Sequence, residues 1–322
     1  MSAIAITGAT GFLGGALCRR LLAEGQPVIG LGRDAGKLAA LRALGVTGVQ
    51  ADLSQGAPEL KGEIKAVVHC AALSSAWGRQ EEFRAANVAG TAAALELAKA
   101  SGAARFVHIS TPSLYFRFRD QVRVREDADL PRPVNAYAAT KRAAEALVRS
   151  AHALDSIILR PRGLYGAGDT ALLPRLLRAA REGPLPLIRN GVAETDLTHV
   201  DDVVEAVLAA LKAPTGLTQR VFNISGGEPL PVQRIAEAAG KHAGITVRWR
   251  NIPAPVIFAA ARALEAAAHL RPGKPEPRIT AYGAGLFAFT QTLDLTAAQT
   301  HLGWNPRISF QEGLARTFGV AA

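Results

Sequence analysis

Apolar and polar positions alternate in two rhythms along the first half of this chain. Short apolar runs recur at Ala3–Thr7, Pro27–Leu31, Ala66–Cys70, Phe106–Ser110 and Ser156–Arg160. Between them lie Ala/Leu-rich stretches with helical spacing, at Phe12–Ala23, Asp34–Leu44, Phe83–Ser101 and Ala136–Ala153. Strict alternation of strand and helix predicts a parallel sheet with helices on both faces. The uninterrupted apolar run Ile4-Ala5-Ile6 fits a strand buried on both sides. After about Gly166 the pattern changes, and Pro174, Pro184 and Pro186 punctuate it. A further helix at Asp202–Leu211 and a strand at Val221–Ile224 read as returns to the sheet. The proline-rich stretch 226–290 predicts a smaller, mostly helical lobe.

Composition narrows the class. The 322 residues suit one large domain or two fused lobes, and 49% hydrophobic against 20% charged residues exclude a disordered or fibrous chain. Met1-Ser2 leads straight into the first apolar run, so no leader is expected, and no apolar run reaches a membrane span. Cys18 and Cys70 sit in apolar surroundings and read as free thiols in a reducing, cytoplasmic setting. The net charge is +10, from 37 basic and 27 acidic residues, and 29 of the basic ones are Arg. They are spread along the chain, with a modest cluster at Arg117, Arg119, Arg123 and Arg125 and no nucleic-acid recognition motif. Attraction of an anionic cofactor or small-molecule substrate is the expected use. No His/Cys/Asp cluster has metal-ligand spacing, so no metal is expected, and His199 reads as structural, near Asp201 or Asp202.

The strongest local motif is Thr7-Gly8-Ala9-Thr10-Gly11-Phe12-Leu13-Gly14, between the first strand and the first helix. Gly8 allows a tight turn, Gly11 a close approach of backbone to a pyrophosphate, and Gly14 packing of helix on strand. Gly8, Thr10, Gly11, Phe12, Leu13 and Gly14 are the candidate cofactor contacts. The end of the second strand chooses between the nicotinamide dinucleotides. NAD sites usually place an acidic residue there, on the ribose hydroxyls. This chain reads Leu31-Gly32-Arg33-Asp34, with Gly32 at the acidic position and Arg33 next. A guanidinium suits a 2′-phosphate, so NADP(H) is favoured and NAD(H) stays open through Asp34. Asp52-Leu53 is expected to end a third strand, where a side chain contacts the adenine edge; a turn or helix cap is the other reading of Asp52.

Tyr137 and Lys141 stand four apart, on one face of a helix. A free tyrosine titrates near pH ~10, so lowering it toward neutrality takes about 4 kcal/mol. The Lys141 cation and an oxidised nicotinamide are expected to supply it. Tyr137 would then exchange a proton with a carbonyl or alcohol oxygen. Such a pair alone is common as a surface feature. Here Ser110-Thr111 closes the preceding strand, and Thr111 is placed to hydrogen-bond the substrate oxygen near Tyr137.

Together these motifs resemble the extended short-chain dehydrogenase/reductases, the NAD-dependent epimerase/dehydratase superfamily. The resemblance adds His69-Cys70-Ala71-Ala72, Asn87-Val88-Ala89-Gly90-Thr91, Leu159-Arg160-Pro161, Tyr165-Gly166 and His199-Val200-Asp201-Asp202, in order up to about residue 227. It implies a Rossmann-type dinucleotide-binding domain at 1–165 with returns at about 196–225, and a substrate-binding lobe from 166–195 and 226–322. It also implies catalytic Thr111, Tyr137 and Lys141, and cofactor contacts from Ala71, Ala72, Asn87 and Pro161. Similar proteins often dimerise through the helices at Phe83–Ser101 and Ala136–Ala153, so a homodimer is expected.

Three departures separate the chain from the sugar-nucleotide members. Pro112-Ser113 follows Thr111 where dehydratases carry Asp-Glu. Thr195 stands before Asp196 where sugar-nucleotide enzymes carry a phosphate-binding Arg. The second-strand end favours NADP. Ser110-Thr111-Pro112-Ser113, Arg160-Pro161-Arg162-Gly163-Leu164-Tyr165-Gly166 and Phe222-Asn223-Ile224-Ser225-Gly226-Gly227 resemble instead the branch holding 3β-hydroxysteroid dehydrogenases and bacterial 2-alkyl-3-oxoalkanoate reductases. That branch implies reversible oxidation of a secondary alcohol on a hydrophobic substrate. Trp77, Ser113 and Arg162 are the candidate substrate residues, with Arg117 and Arg119 as further possible carboxylate partners. The alternatives are an NAD-dependent sugar-nucleotide epimerase and a cofactor-binding sensor without catalysis.

Overall fold

The computed structural model describes residues 2–319, so residue 1 and residues 320–322, the outer ends of the two expected units, lie outside the described residues. In chain order come β1 (Ala3–Thr7), α1 (Phe12–Ala23), β2 (Val28–Gly32), α2 (Ala35–Ala43), β3 (Thr47–Gln50) and β4 (Ile64–His69). Next, α3 (Gln80–Phe83), a π-helical turn (Arg84–Ala89) and α4 (Gly90–Ala100) run on as one helix into β5 (Arg105–Ile109). Then follow β6 (Gln121–Val124), α5 (Ala136–Ser150), β7 (Asp155–Pro161), β8 (Leu164–Tyr165), α6 (Leu173–Glu182), β9 (Leu185–Leu187), β10 (Glu194–Thr195) and β11 (Thr198–His199). The chain continues through α7 (Val200–Lys212), β12 (Val221–Ile224), β13 (Leu230–Pro231), α8 (Val232–His242), β14 (Trp249–Asn251) and α9 (Ala254–Leu270). It closes with α10 (Ala281–Ala288), β15 (Gln291–Leu293), α11 (Thr296–Leu302) and α12 (Phe310–Phe318).

Seven strands form one sheet in the order β12-β7-β5-β4-β1-β2-β3, and every pairing in it is parallel. The chain fills one side from β1 to β3 and the other from β4 onward. The order therefore reverses between β1 and β4, which opens a crevice at their carboxyl ends. Side chains of β1 alternate between two apolar layers. Ile4 and Ile6 pack with Leu17, Val203 and Val207 of α1 and α7, while Ala5 packs with Ala94 and Leu97 of α4 and Val148 of α5. This two-sided burial is why the strand reads as an unbroken apolar run. A buried ion pair fastens α5 to β7: Glu145 accepts from Arg160 Nε at 2.8 Å and Nη2 at 2.6 Å.

The lobe holds more strand than its sequence pattern suggests. A mixed four-stranded sheet runs β13-β10-β15-β6 and a short parallel pair joins β9 to β14, while β8 and β11 pair within the first expected unit and its return. Strand β6 lies inside the first expected unit but pairs with β15, so the lobe grips the main sheet's own excursion. The third strand also differs from expectation. It ends at Gln50, and Asp52 instead caps a short turn at Leu53–Gln55 by accepting from Ser54 N at 3.0 Å. Among the described residues no helix is long and apolar enough to cross a membrane.

Candidate active site

The turn after β1 is shaped by close backbone approach. Gly8 has φ +67°, and a Cβ there would lie 2.7 Å from the Ala71 nitrogen. A Cβ on Gly14 would lie 2.2 Å from the Gly8 carbonyl oxygen, a distance that excludes any side chain. Gly11 precedes α1 without a side-chain cap, and the first turn holds no acidic residue. Its amide donors are thus free for an anion at the positive end of the helix. Thr10 and Phe12 are half-buried and Gly11 is exposed, while the Leu13 side chain turns into the core. Backbone, not side chains, is what this turn offers, and it fits a dinucleotide pyrophosphate.

The end of β2 is crowded by Thr10. A Cβ on Gly32 would lie 2.6 Å from Thr10 Cγ2. Asp34 is engaged as the cap of α2, accepting from Lys37 N at 3.0 Å. Arg33 is exposed, and its charge helps to lower the Asp52 carboxyl, whose main support is the Ser54 hydroxyl and amide. Leu53 is buried in the layer under α4.

The loop after β4 is pinned from beneath. Ala71 N donates to Thr7 Oγ1 at 3.3 Å. Asn87, in the π-helical turn, accepts from Leu73 N at 2.7 Å and donates to Leu73 O at 3.2 Å and Thr140 Oγ1 at 3.0 Å. Every polar atom of its side chain is thereby used within the protein, and Asn87 holds the Ala71–Leu73 loop to α5. Ala72 is exposed, Ala71 half-buried, and Pro161 buried at the end of β7. Trp77 packs in a tilted arrangement against His269, with ring centroids 4.5 Å apart, and donates Nε1–H to Lys274 O at 2.9 Å, clasping the loop to the lobe.

Asn135 caps α5 by accepting from Ala138 N at 2.8 Å, which sets Tyr137 in the first turn and Lys141 one turn on. Burial pushes the Tyr137 phenol up, while the Thr111 and Ser74 hydroxyls beside it pull it down. Lys141 is 2% exposed. Its ammonium donates to Ile109 O at 2.6 Å and lies 3.4 Å from His108 Nε2. Burial moves it down to about 8. In this arrangement the Lys141 ammonium lies between Ile109 O and the His108 ring. Below it, His69 bonds Thr7 Oγ1 at 2.7 Å and Thr91 Oγ1 at 3.0 Å and stacks on His108 at 5.4 Å. Burial, with the Lys141 charge added, moves His69 down to about 3 and His108 well below its usual value. Both imidazoles are neutral. Ser110 is buried with an Oγ that has no partner among the described residues.

From Thr111 a row of hydroxyls leads toward the lobe. Thr111 Oγ1 lies 3.0 Å from Ser113 Oγ, which lies 2.8 Å from the Tyr282 hydroxyl on α10. Arg162 stands beside Tyr282. Its Nε and Nη2 donate to Thr195 Oγ1 at 3.0 and 2.8 Å, and its Nη1 donates to Gln291 Oε1. Arg117 donates to Asp129 O at 2.9 Å, and Arg119 is exposed. His199 caps α7 by accepting from Asp201 N at 3.3 Å. Cys18 and Cys70 are free thiols, the first buried and the second half-buried. Sequence reasoning missed Ser74 and Tyr282. Ser74 follows three residues after Ala71 in a motif already singled out, whereas nothing local marks Tyr282.

Comparison with known proteins places this geometry among relatives. Residues 4–225 match the model described as the NAD dependent epimerase/dehydratase family. A 2-alkyl-3-oxoalkanoate reductase of Stenotrophomonas maltophilia is 31% identical over 328 residues, covering 97% of each protein. A 4-hydroxy-2-methyl-3-oxo-4-farnesyl-3,4-dihydroquinoline-1-oxide ketoreductase of Stigmatella aurantiaca is 34% identical, over 96% of this chain and 93% of its own. Among solved structures, a UDP-glucuronic acid 4-epimerase of Bacillus cereus, in complex with UDP-glucuronic acid and NAD, has a TM-score of 0.75. It is 25% identical, with 98% of each chain covered.

Proposed function

The chain belongs to the NAD dependent epimerase/dehydratase family, and from that premise we propose an NADP(H)-dependent oxidoreductase that interconverts a secondary alcohol and a ketone. Its substrate is hydrophobic, a 3-oxo/3-hydroxy acid or a sterol-like molecule. The observation that carries this reading is the meeting of the Tyr137 phenol with the Thr111 and Ser74 hydroxyls at the carboxyl edge of the sheet. The two relatives named as reductases support it.

When bound, the nicotinamide supplies or takes up the hydride at the carbinol carbon. Tyr137 gives its proton to the carbonyl oxygen during reduction and takes it back during oxidation. Thr111 hydrogen-bonds that oxygen and fixes its direction. Lys141 holds the ribose hydroxyls and is a cation at neutral pH, since its proton leaves only near pH 8. The open amides of α1 receive the pyrophosphate, and Arg33, beside Gly32, takes the 2′-phosphate. Ala71, Ala72 and Pro161 border the reacting end, and Asn87 keeps that border in place. Ser113 and Arg162 face the substrate, and two chains pair through the outer faces of α4 and α5.

Titration of the cofactor-free protein with NADPH and NADH, followed by oxidation of 3-hydroxy acids, tests the reading. NADPH is expected to bind more tightly by about tenfold or more, and the 3-hydroxy acids to turn over with NADP⁺. The second reading, a sugar-nucleotide 4-epimerase, draws on the solved Bacillus cereus enzyme. Tightly retained NAD and epimerisation of a UDP-sugar would replace the first reading with it.

A further inference from the structure

We propose that Arg162 binds the carboxylate of the substrate, which makes that substrate an oxo acid of the 3-oxo type rather than a neutral ketone. The assignment rests on the alcohol–ketone reading above and narrows its substrate class.

Arg162 is 8% exposed, so its charge is withdrawn from water. All three of its hydrogen bonds end on neutral oxygens, two on Thr195 and one on Gln291. Among the described residues it makes no salt bridge, although thirteen others form. The carboxylate whose field reaches it is Asp196. That carboxylate accepts from Ser225 Oγ at 2.7 Å. A buried guanidinium keeps its proton, and a paired anion offsets its desolvation more fully than neutral acceptors do.

Position supplies the rest of the argument. The edge formed by Nε and Nη2 is taken by Thr195 and Nη1 reaches Gln291, which leaves one N–H on each terminal nitrogen. Two such donors match the fork of a carboxylate. The guanidinium stands beside Tyr282, whose hydroxyl is 2.8 Å from Ser113 Oγ, itself 3.0 Å from Thr111 Oγ1. A carbonyl oxygen held by Thr111 and Tyr137 is therefore separated from Arg162 by a short row of polar groups. A carboxylate a few bonds from the carbonyl spans that row, and a long apolar tail would leave on the side of the Phe116, Phe118 and Phe258 cluster, which packs against Tyr282. The charged head and the apolar remainder thus have separate places.

The test uses the whole protein with NADP⁺ and NAD⁺ both offered, and two probes: a 2-alkyl-3-hydroxyalkanoic acid and its methyl ester. The native protein is expected to oxidise the acid with a kcat/KM at least about tenfold above the ester, the size expected of one charge-assisted pair. Arg162→Gln should collapse that ratio toward one, mainly through KM for the acid, and Arg162→Lys should keep part of it. The acid, and not the ester, should raise the melting temperature of the native protein–nucleotide complex, and Arg162→Gln should lose that rise. Should Arg162→Gln fail to fold, Thr195→Val, which frees the guanidinium from its anchor, should lower the ratio instead. Equal handling of acid and ester by the native protein, or equal loss of both in the variants, would overturn the assignment and leave Arg162 as a brace facing Asp196. If neither probe is oxidised while the acid alone still stabilises the native complex, the alcohol–ketone reading fails and the carboxylate site stands. If the acid neither reacts nor binds, both fall.

Discussion

At the nucleotide end of the cleft the groups that face outward are backbone amides, framed by Gly8 and Gly14 at separations that admit no side chain. At the reaction end they are side chains drawn from five separate segments: Ser74, Thr111 with Ser113, Tyr137 with Lys141, Arg162, and Tyr282. The first end works by shape and by the helix's own dipole, so its strength hardly depends on protonation. The second works by hydroxyls and by Tyr137, Lys141 and Arg162, whose titration burial shifts. One end is therefore broken by adding an atom, the other by changing a charge or removing a hydroxyl.

The largest effect that separates the two ends is expected from Tyr137→Phe. It should lower kcat by about 10²–10⁴-fold while leaving nucleotide affinity unchanged; a parallel loss of affinity, read by nicotinamide fluorescence, would show that the ends are not independent. Next comes the support of the reaction end. Arg160→Met leaves Glu145 buried with only the exposed Arg149, 3.9 Å away, and should cost about 3–5 kcal/mol in urea unfolding. Arg20→Ala on α1, whose pairs with Glu24 and Glu205 are solvent-exposed, should cost about 1 kcal/mol or less.

Acid should act on the floor of the reaction end. His69 accepts a proton near pH 6.5 when unfolded and only near about 3 when folded. Between these values the unfolded chain binds more protons, so stability falls as pH drops, by up to about 1.4 kcal/mol per unit for this histidine. His108 acts in the same sense. Lys141 is also depressed, from 10.5 to about 8. Stability should rise with pH across that window, while turnover is expected to fall above about pH 8 as the Lys141 charge is lost. Urea midpoints and kcat/KM across pH read both limbs, and a flat profile would mean the floor is open to water. Arg33→Ala should cost about a tenfold loss of preference for NADPH over NADH. Unchanged preference would take Arg33 out of the nucleotide end.

The same division explains what could be read in advance. Strands β1 and β12 and helix α1 fall on the residues that periodicity indicates, because their apolar positions are set by burial in one continuous core. The nucleotide turn is local, so its glycines stand together in the chain. The end of β3 was misjudged because Thr47–Gln50 contributes no buried side chain to mark it. The lobe's strands are two or three residues long, too short for any alternation to register. Arg162 was legible as a candidate, but its burial against Thr195 and Gln291 depends on β7, β10 and β15 meeting. Tyr282 owes its place to Ser113, 169 residues earlier in the chain, and no local pattern encodes such a distance.

The wide turn at Arg84–Ala89 has a consequence for how this chain tolerates insertions and deletions. One extra residue is accommodated there within an otherwise regular helix. Excising a single residue from it would let α3 join α4 in continuous α-helical register and would reshape the turn that carries Asn87. Asn87 would swing off Leu73 and Thr140, and the loop carrying Ala71 and Ala72 would lose its tether. A length change of one residue, well away from Tyr137, is thus expected to be as damaging to this lineage as a substitution at the reacting groups.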